Sequence, residues 1–276
     1  MLYLVATPIG NLEDITLRAL KVLKSVEILA CEDTRNTQKL LNHYEITGKK
    51  LISYHEHNEE KMSEKIISYL EEGREVALVT DAGMPCISDP GYILVEKIKK
   101  AGLPITTLPG ANAGLTALVA SGIESYNYTF YGFLPRKSKD LKLKLEEILK
   151  MNTTSILYES PYRVKNLVEE ISKIAPTRKI SVARELTKMF EQIETSSAEE
   201  ILEMLGNKIK EKGEFVVIIS PNKDEKSEEV NVDELVELIY QKVQSGVKKS
   251  EAIKNIAKEF GINKKEVYSL YHEKYD

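Results

Sequence analysis

The feature that most constrains the fold is a regular alternation, from residue 1 to about residue 122, of short β-branched runs with amphipathic stretches. Runs of this length between turn residues are typical of strands, and the stretches between them have the period of helices. We predict strands at residues 2–6, 26–31, 50–54, 75–80 and 104–108. Because strands that alternate with helices usually pair in parallel, residues 1–122 are predicted to form an α/β domain with a mostly parallel, twisted sheet.

A second series of strands and helices begins near residue 126 and predicts a second α/β domain over residues 123–221. Its apolar runs lie at residues 128–134, 155–160, 179–185 and 214–220, with helical stretches that end near residues 150 and 175. Residues 222–231 are rich in charge and are predicted to be a linker. Residues 232–276 contain only helical patterns and are predicted to form a small helical appendage.

The appendage carries a pattern at residues 252–268 that is typical of a helix-turn-helix: an alanine, a turn glycine and apolar residues after it. This pattern favours nucleic-acid binding. A purely structural helical cap is the alternative, because acidic and basic residues are mixed along the segment and no continuous basic face is present. The sequence leaves both interpretations open.

Composition excludes several classes of protein. The chain has 276 residues, 42% of them hydrophobic, and a net charge of -4, so any contact with a polyanion has to come from a local patch. Cys31 and Cys86 lack the spacing of a cysteine zinc site or a disulfide framework, which favours a reducing compartment. The first residues lack a basic region, and no uncharged apolar stretch has the length of a membrane span. We therefore expect a cytoplasmic protein.

The predicted strand ends carry the chemistry. The chain has neither the GxG spacing of dinucleotide-binding loops nor a phosphate-binding GxxxxGK[ST] motif. Instead, glycine, proline and ionisable residues are concentrated in the loops after all five predicted strands of the first domain, at residues 7–16, 32–35, 55–59, 80–91 and 109–114. Because α/β proteins bind ligands at the carboxyl ends of their strands, these loops predict a ligand site.

These loops, with two further segments, carry a resemblance to a known family. The motifs are ATPIGNLEDIT, CEDTR, YHEHNE, VTDAGMPCISDPG, LPGANAGLTALVASG, FYGFLPRK and LYESPYRV. They resemble the tetrapyrrole-methylase-like group of methyltransferases, and within it the members that methylate ribosomal RNA. The resemblance implies two mixed-sheet α/β domains with a cleft between them, S-adenosylmethionine in that cleft, and a homodimer. It also implies 2'-O-methylation of a cytidine in the decoding region of 16S rRNA, in free small-subunit rRNA or in the assembled subunit.

We assign the cofactor to the loops after the first, fourth and fifth strands. Asp81 ends the fourth strand and is followed by small residues that let a ligand approach the backbone, although capping of the next turn is an alternative role. A helix is predicted to open at about Asn112 with free backbone amides, where small residues suit either a ligand or close packing. The resemblance also implies that the loop of Pro8 borders the cleft and that the segment around Asp81, Gly83, Met84 and Pro85 lines the cofactor pocket. The predicted cofactor-binding residues are Pro8, Asp81, Gly83, Met84, Pro85, Gly110, Ala111, Ala113 and Ala117. Asp89, by contrast, is predicted to cap a helix over residues 90–101.

Methyl transfer to a hydroxyl needs alignment first and a general base second, the base contributing about 10² to 10⁴ in rate. The candidate bases are Glu32, Asp33, His55 and His57. His55 and His57 would point the same way if their strand continued, and they could then resemble a pair of metal ligands. We predict no metal, because methyl transfer requires none. An ion pair between Asp33 and Arg35, with a helix cap, is the alternative to a functional role there.

Substrate contacts are predicted where cations or amides follow strands. An arginine can hold a phosphate with two hydrogen bonds, and a basic strip at residues 136–144 follows a run of aromatic residues. A solvated helix face is the alternative for that strip. The predicted substrate-binding residues are Asn11, Arg35, Asn58, Arg136, Lys137 and Arg163. Either Asp14 or Thr16 is expected to cap the helix that begins near Leu17.

Two other functions compete with this hypothesis. One is methylation of a small tetrapyrrole by an enzyme of the same fold, against which the basic strip and the helical appendage favour RNA. The other is a non-catalytic nucleic-acid-binding protein, against which the five loops argue. A methyltransferase of either kind binds the cofactor, so absence of cofactor binding would favour the non-catalytic nucleic-acid-binding protein.

Overall fold

A computed structural model describes residues 1–222, 232–259 and 264–275 of the chain. The chain divides into two compact units, Met1–Pro221 and Asn222–Asp276, which are described separately. Residues 223–231 of the predicted linker lie outside the described residues, as does the turn of the helix-turn-helix pattern at residues 260–263.

The first sheet contains all five strands predicted for the first half of the chain. They are β1 (Leu2–Val5), β2 (Ile28–Cys31), β3 (Lys50–Ser53), β4 (Val76–Val79) and β5 (Ile105–Leu108). The strand order is β3-β2-β4-β1-β5, and every pairing is parallel, which confirms the prediction. β2, β4 and β1 are therefore neighbours at the centre of the sheet, and their carboxyl ends meet at one edge.

Helices cover both faces of this sheet and bury its strands. They are α1 (Leu17–Ser25), α2 (Thr34–His43), α3 (Glu59–Glu71) and α4 (Tyr92–Lys100). Leu78 packs with Ile66 and Ile98 on one face, while Leu29 packs with Leu41 on the other. Thr16 caps α1, because its side chain accepts a hydrogen bond from the Ala19 amide at 3.0 Å, which decides between the two predicted caps.

The second sheet is mixed. Its strands are β6 (Tyr128–Phe133), β7 (Thr154–Glu159), β8 (Lys179–Arg184), β9 (Gln192–Ser197) and β10 (Phe215–Ile219), in the order β6-β7-β10-β8-β9. β6 and β7 are parallel, and the other pairings are antiparallel. β9 was not predicted, because its sequence QIETSS is mostly polar and it lies half-buried at the edge of the sheet.

Four helices pack on this second sheet. They are α5 (Ala113–Ala120), α6 (Ser138–Ile148), α7 (Val164–Ile174) and α8 (Ala198–Met204). Ala117 and Leu118 of α5 pack with Ile156 and Ile218 on one face, and the other three helices cover the opposite face. The domain boundary after residue 122 stays a prediction: α5 precedes that boundary in sequence, but it packs on the second sheet.

The C-terminal unit contains α9 (Val232–Gln244), α10 (Lys249–Glu259) and α11 (Lys264–Tyr275). These helices share a core of their own, in which Leu235 and Ile239 pack with Ile253, Ile256 and Tyr271. Among the described residues, no helix is both long and apolar enough to cross a membrane.

Candidate functional site

The site lies where the carboxyl ends of β1, β2 and β4 converge. The chain after β1 and the loop after β4 are joined by two backbone hydrogen bonds, from the Thr7 amide to the Gly83 carbonyl at 2.9 Å and from the Gly83 amide to the Thr7 carbonyl at 3.0 Å. The Thr7 hydroxyl also donates to the Thr80 carbonyl at 3.1 Å. These bonds hold the loop after β4 against the sheet, so that Asp81 and its neighbours have a fixed position.

A cavity of about 410 Å³ lies between the two sheets at this point. We call it the main cavity. From the first sheet and α5 it is lined by Ile9, Glu32, Asp81, Ala82, Gly83, Met84, Ile87, Ser88, Asp89, Asn112 and Ala113. From the second sheet it is lined by Phe133, Tyr158, Glu159, Ser160, Pro161, Leu186, Glu214, Phe215 and Val216. An apolar cavity of this size with a few polar groups is typical of a small-molecule site.

The main cavity is acidic. Burial, followed by the charges of Glu32 and Asp81, raises the pKa of Asp89 to about 7. Burial, followed by the Asp81 charge, also raises the pKa of Glu32. The described lining residues include no lysine or arginine, so these three carboxyl groups face the cavity without a cation among them. A positively charged ligand would relieve their repulsion.

The loop after β4 has a strained backbone. Cys86 and Ser88 adopt positive φ angles of 69° and 64°, and Gly91 has a φ of 138°. Such conformations are costly for residues other than glycine and are concentrated at functional sites. Ser88 also meets the second sheet, since a Cβ placed on Gly132 of β6 would lie 2.9 Å from the Ser88 hydroxyl.

The predicted role of Asp89 was wrong. The helix begins at Tyr92 rather than at residue 90, and its N-cap is Gly91, without a side-chain cap. The Gly91 amide donates instead to the Glu59 carboxylate at 2.7 Å, which turns the chain before the helix starts. Asp89 is thereby placed in the wall of the main cavity.

A second strained loop closes the cavity from the other sheet. Glu185 and Thr187, after β8, adopt φ angles of 50° and 64°. The Asn11 amide donates to the Thr187 hydroxyl at 2.9 Å. A Cβ on Gly10 would lie 2.7 Å from the Leu186 carbonyl, so the loop after β1 and this loop touch backbone to backbone. Leu186 then reaches the cavity.

We expect Gly10→Ala to push these two loops apart. Overpacking of this kind costs about 1–3 kcal/mol, and the displaced Leu186 should widen the cavity and weaken ligand binding several-fold. Thermal unfolding measures the first effect, and calorimetric titration with S-adenosylmethionine, the cofactor that the resemblance implies, measures the second. Gly73→Ala is the matched control, because Gly73 has a φ of 81° but open space around its Cβ position. The control should lose stability without losing affinity; equal loss of affinity in both variants would contradict the expectation.

The predicted cofactor residues divide into three groups. Asp81, Gly83, Met84 and Ala113 line the main cavity. Pro8 lines a smaller neighbouring pocket. The remaining predicted cofactor residues lie outside both linings: Pro85, Gly110, Ala111 and Ala117.

Two of these outer residues are small for reasons of packing. A Cβ on Gly110 would lie 2.5 Å from the Ala6 Cβ atom, and Ala117 is fully buried against the second sheet. The helix start was predicted correctly, since Asn112 is the N-cap of α5 and accepts from the Leu115 amide at 2.9 Å.

Of the four candidate bases, Glu32 is the one in the main cavity. Asp33 caps α2 and pairs with Arg35 at 2.6 Å, and the hydrogen bonds from Arg35 lower the pKa of Asp33 to about 2. The helix cap and the ion pair, which were the alternative to a functional role for Asp33, are therefore both present. β3 ends at Ser53, so the strand does not continue through His55 and His57. Their rings lie edge to face with centroids 6.0 Å apart.

His55 lies close enough to Glu32 for its charge to act on that carboxyl group, whose pKa the imidazolium form would lower. The Asn58 side chain fixes the turn around it: its oxygen accepts from the His55 amide at 2.9 Å, and its nitrogen donates to the Ser53 carbonyl at 3.1 Å. The Nδ1 atom of His55 is buried without a hydrogen-bond partner. The amide of Asn58, predicted to bind substrate, is thus used within the loop.

The other predicted substrate residues differ in whether their side chains are already engaged in contacts within the protein. Asn11 caps the short 3-10 helix Leu12–Asp14 through its side chain, and the Arg35 guanidinium is exposed beside Asp33. Arg163 donates to the carbonyl groups of Leu134 and Pro135 and pairs with the buried Glu159 at 3.3 Å.

The basic strip is exposed at its start. Arg136 and Lys137 precede α6 and lie in solvent, and among the described residues neither they nor Lys139 form an ion pair. Farther along, Lys142 pairs with Glu170 and Lys144 with Glu147. The cations that remain for a phosphate backbone are therefore at the N-terminal end of the strip.

The resemblance placed Glu159, Ser160 and Pro161 of the motif LYESPYRV at the cleft, and they line the main cavity. The rest of the second wall was missed, as was Asp89 of the first wall. Asp89 carried a signal, its position in a strand-end loop, but the capping pattern was preferred. Tyr158 accepts a hydrogen bond from the Gly114 amide at 3.1 Å and connects β7 to the start of α5, and burial raises its pKa. Leu186, Phe215 and Val216 give no signal in the sequence, because they are indistinguishable from core residues.

Comparison with known proteins supports a common origin. Residues 1–202 match the family described as Tetrapyrrole (Corrin/Porphyrin) Methylases. The chain is 46% identical over 275 residues to a ribosomal RNA small subunit methyltransferase I of Halalkalibacterium halodurans, covering 99% of this chain and 94% of the relative. A protein of the same name from a Hydrogenobaculum species is 48% identical over 220 residues, covering 79% of this chain and 95% of the relative.

The fold also matches solved structures. One is uroporphyrin-III C-methyl transferase from Thermus thermophilus complexed with S-adenyl homocysteine, with a TM-score of 0.54, 17% identity, and coverage of 79% of this chain and 96% of that one. At 17% identity this match shows a shared fold and no more.

Proposed function

We propose that this chain, which belongs to the tetrapyrrole (corrin/porphyrin) methylase family, is an S-adenosylmethionine-dependent methyltransferase that modifies small-subunit ribosomal RNA. The names of its full-length relatives support the reaction and the substrate class. The solved relative with S-adenyl homocysteine supports the methyl donor. The finer assignment is our proposal: the acceptor is the 2'-hydroxyl of a cytidine in the decoding region of 16S rRNA.

The observation that carries the proposal is the acidic main cavity. S-adenosylmethionine has a sulfonium and an ammonium group, and three carboxyl groups whose repulsion is not relieved by any cation in the described lining fit such a ligand. The apolar side chains of Ile9, Met84 and Leu186 offer surface to an adenine ring. The same charge repels phosphate, so the RNA backbone has to lie outside this cavity.

We assign the cofactor contacts to Asp81, Gly83, Met84 and Ala113, and add Asp89 to them. When bound, the cofactor supplies an electrophilic methyl group whose bond to sulfur breaks as the bond to oxygen forms. The chain has to align the two partners and hold the hydroxyl proton. The strained loops around the cavity are suited to this task, because they fix the positions of side chains before the ligand binds.

Glu32 is our candidate for the general base. Its carboxyl group faces the cavity, is half-buried, and has a raised pKa, so it accepts a proton more readily than an exposed glutamate. Glu32 would take the proton of the ribose hydroxyl, and the bound cofactor would supply the methyl group that replaces it on the oxygen. Asp33 is a poor base, because the hydrogen bonds from Arg35 lower its pKa to about 2. His55 lies beside Glu32 and is suited to positioning it.

The RNA backbone is assigned to the exposed start of the basic strip, Arg136, Lys137 and Lys139. Such phosphate contacts make binding sensitive to salt. Cytoplasmic small subunits, or their free rRNA, are the proposed partner. We also propose a homodimer, because α5 leaves Leu115 and Val119 exposed at 43% and 81% on one face, and a second copy would cover them.

The test is transfer of labelled methyl from S-adenosylmethionine to small ribosomal subunits from a strain that lacks this modification, followed by nucleoside analysis. We expect labelled 2'-O-methylcytidine, and none from a Glu32→Gln variant that still binds the cofactor. Cofactor binding without RNA methylation would favour the small-tetrapyrrole alternative. Absence of cofactor binding would favour a non-catalytic nucleic-acid-binding protein.

The raised pKa of Asp89 predicts a pH dependence of cofactor binding. At pH 6 most Asp89 carboxyl groups are protonated, and at pH 7.5 most are ionised, so affinity for the cationic cofactor should rise across this interval. Each unit by which the bound cation lowers the pKa corresponds to about a tenfold gain in affinity. Calorimetry at both pH values measures the gain, and Asp89→Asn should reduce it. An equal gain in the variant would refute the assignment.

Protein stability without cofactor should change in the opposite direction. Because the folded state raises the pKa of Asp89 above its ordinary value of 3.8, the folded state holds the proton more tightly than the unfolded chain. Its contribution to stability is therefore greatest below pH 4 and is lost as the pH rises to about 7. Asp89→Asn should flatten this part of the stability profile, which thermal melts at pH 5 and pH 8 would show.

A further inference from the structure

A second, smaller pocket lies beside the main cavity. Its volume is about 180 Å³, and it is lined by Thr7, Pro8, Leu12, Asn36, Thr37, Lys39, Leu40, Thr80 and Asp81. We call it the Asn36 pocket. Among the described residues, Asp81 is the one that belongs to both linings. A ligand in the main cavity and a ligand in the Asn36 pocket would therefore both lie next to the Asp81 carboxylate.

The walls of the Asn36 pocket combine three kinds of surface. Pro8, Leu12 and Leu40 are apolar, and Leu12 is 37% exposed at the surface. The Asn36 side chain donates to the Asp81 carboxylate at 2.8 Å, which leaves acceptor capacity on the carboxylate and a second N–H donor on the Asn36 amide. The Lys39 ammonium group lies 3.4 Å from the Asn36 oxygen and adds a cation to the wall.

One polar group in this wall is poorly satisfied. The Thr37 hydroxyl is buried and has the Cys31 thiol, a weak hydrogen-bonding group, beside it in place of an oxygen or nitrogen. Buried hydroxyl groups in proteins are normally paired. Because this hydroxyl is buried beside Cys31, the polar groups open to the pocket are those of Asn36, Lys39 and Asp81.

These features match a nucleotide. A base has flat apolar faces and an edge of hydrogen-bonding groups, and its phosphate is an anion that a lysine can hold. The pocket has less than half the volume of the main cavity, which disfavours a tetrapyrrole macrocycle or a second cofactor molecule. Proteins that recognise single-stranded RNA commonly splay out an unstacked base and contact its faces and its hydrogen-bonding edge.

We propose that the Asn36 pocket receives the acceptor nucleotide of the RNA, with its base against Leu12 and Leu40 and its phosphate near Lys39. This inference rests on the proposed function and names the site where the substrate enters. Asp81 borders both pockets, so the acceptor hydroxyl and the methyl donor would meet beside this residue. In-line transfer requires the oxygen, the methyl carbon and the sulfur to be aligned, with the reacting atoms about 3–3.5 Å apart.

Two substitutions test the proposal. Leu12→Trp should fill the pocket without disturbing the core, because Leu12 is partly exposed, and methyl transfer to small subunits should fall about a hundredfold. Lys39→Met should raise the KM for subunits about tenfold and reduce the slope of its salt dependence by about one. The affinity for S-adenosylmethionine, measured by calorimetry, should stay within about twofold in both variants, which also shows that they fold.

Leu17→Trp and Lys21→Met are the matched controls. Both residues are exposed on α1 outside the two linings, and their variants should behave as the unsubstituted protein does. Full activity of Leu12→Trp and Lys39→Met would overturn the proposal. An equal loss of cofactor affinity and methyl transfer in Leu12→Trp would also overturn it, by assigning the pocket to the cofactor. If the unsubstituted protein itself methylated no RNA, the proposed function would fail and this inference with it.

Discussion

Replacing Asp81 with alanine is expected to reduce methyl transfer to small subunits by at least a hundredfold and to weaken cofactor binding at the same time. The Asp81 carboxylate accepts hydrogen bonds from the Asp33 amide at 3.2 Å and from the Asn36 side chain at 2.8 Å. It thereby ties the loop after β4 to the start of α2. Hydrogen bonds to charged groups are worth about 1.5–3 kcal/mol each, so loss of both would release the wall that this carboxylate holds for donor and acceptor.

The two functions of this carboxylate can be measured separately. Asp81→Asn keeps the shape of the side chain and removes its charge, so it should lose affinity for cationic S-adenosylmethionine more than for S-adenosylhomocysteine, which lacks the sulfonium charge. Asp81→Ala should lose both. Calorimetric titration with each ligand gives the comparison. Asp14→Ala, which changes an exposed aspartate outside the two linings, is the control.

An Asp81→Ala variant with normal affinity and normal turnover would contradict the assignment of the site. A variant with normal cofactor affinity and no turnover would instead confine Asp81 to the acceptor side. The structure makes a combined effect the expected result, because the residue lies in both linings.

The position of this site was predictable because its first wall is local in sequence. Glycine, proline and acids follow β1, β2 and β4 directly, and the parallel arrangement of these strands brings their carboxyl ends together. Glu32, Asp81 and Gly83 were identified in this way. The strand order, which places β4 between β1 and β2, was not encoded in any one of these segments.

The rest depended on tertiary contacts. Asp89 has the local pattern of a helix cap, but the hydrogen bond between the Gly91 amide and Glu59, 32 residues away, moves the start of the helix. Gly110 and Ala117 look like residues that make room for a ligand, yet they make room for Ala6 and for the second sheet. A small residue indicates close approach without indicating what approaches.

Arg163, predicted to contact RNA, forms contacts within the protein that hold the start of the basic strip. Its guanidinium donates to the Leu134 and Pro135 carbonyl groups at 3.2 and 3.0 Å, directly before Arg136 and Lys137. It also lies 3.3 Å from Glu159, whose side chain is 1% exposed. Direct binding of phosphate by Arg163 stays a prediction, whereas these contacts make it a positioning residue for the start of the basic strip.

Arg163→Met is therefore expected to lower the free energy of unfolding by about 3 kcal/mol, because it leaves the Glu159 carboxylate buried without its cation. The value is placed at the low end for a buried pair, since Arg163 is itself one quarter exposed. Denaturant unfolding measures the loss. The double variant Glu159→Gln, Arg163→Met should be more stable than the sum of the two single losses predicts. In the double variant, Glu159→Gln removes the buried negative charge that Arg163→Met alone leaves unpaired.

The salt dependence of RNA binding distinguishes the two roles of Arg163. A direct phosphate contact would make Arg163→Met reduce the slope of affinity against salt by about one, as Arg136→Met should. A positioning role leaves that slope near its original value at temperatures where the variant is folded, and lowers the melting temperature instead. Simple additivity of the two stability losses, together with a reduced salt slope, would favour the direct contact. Because the guanidinium already holds two carbonyl groups and a buried carboxylate, we expect the loss of stability.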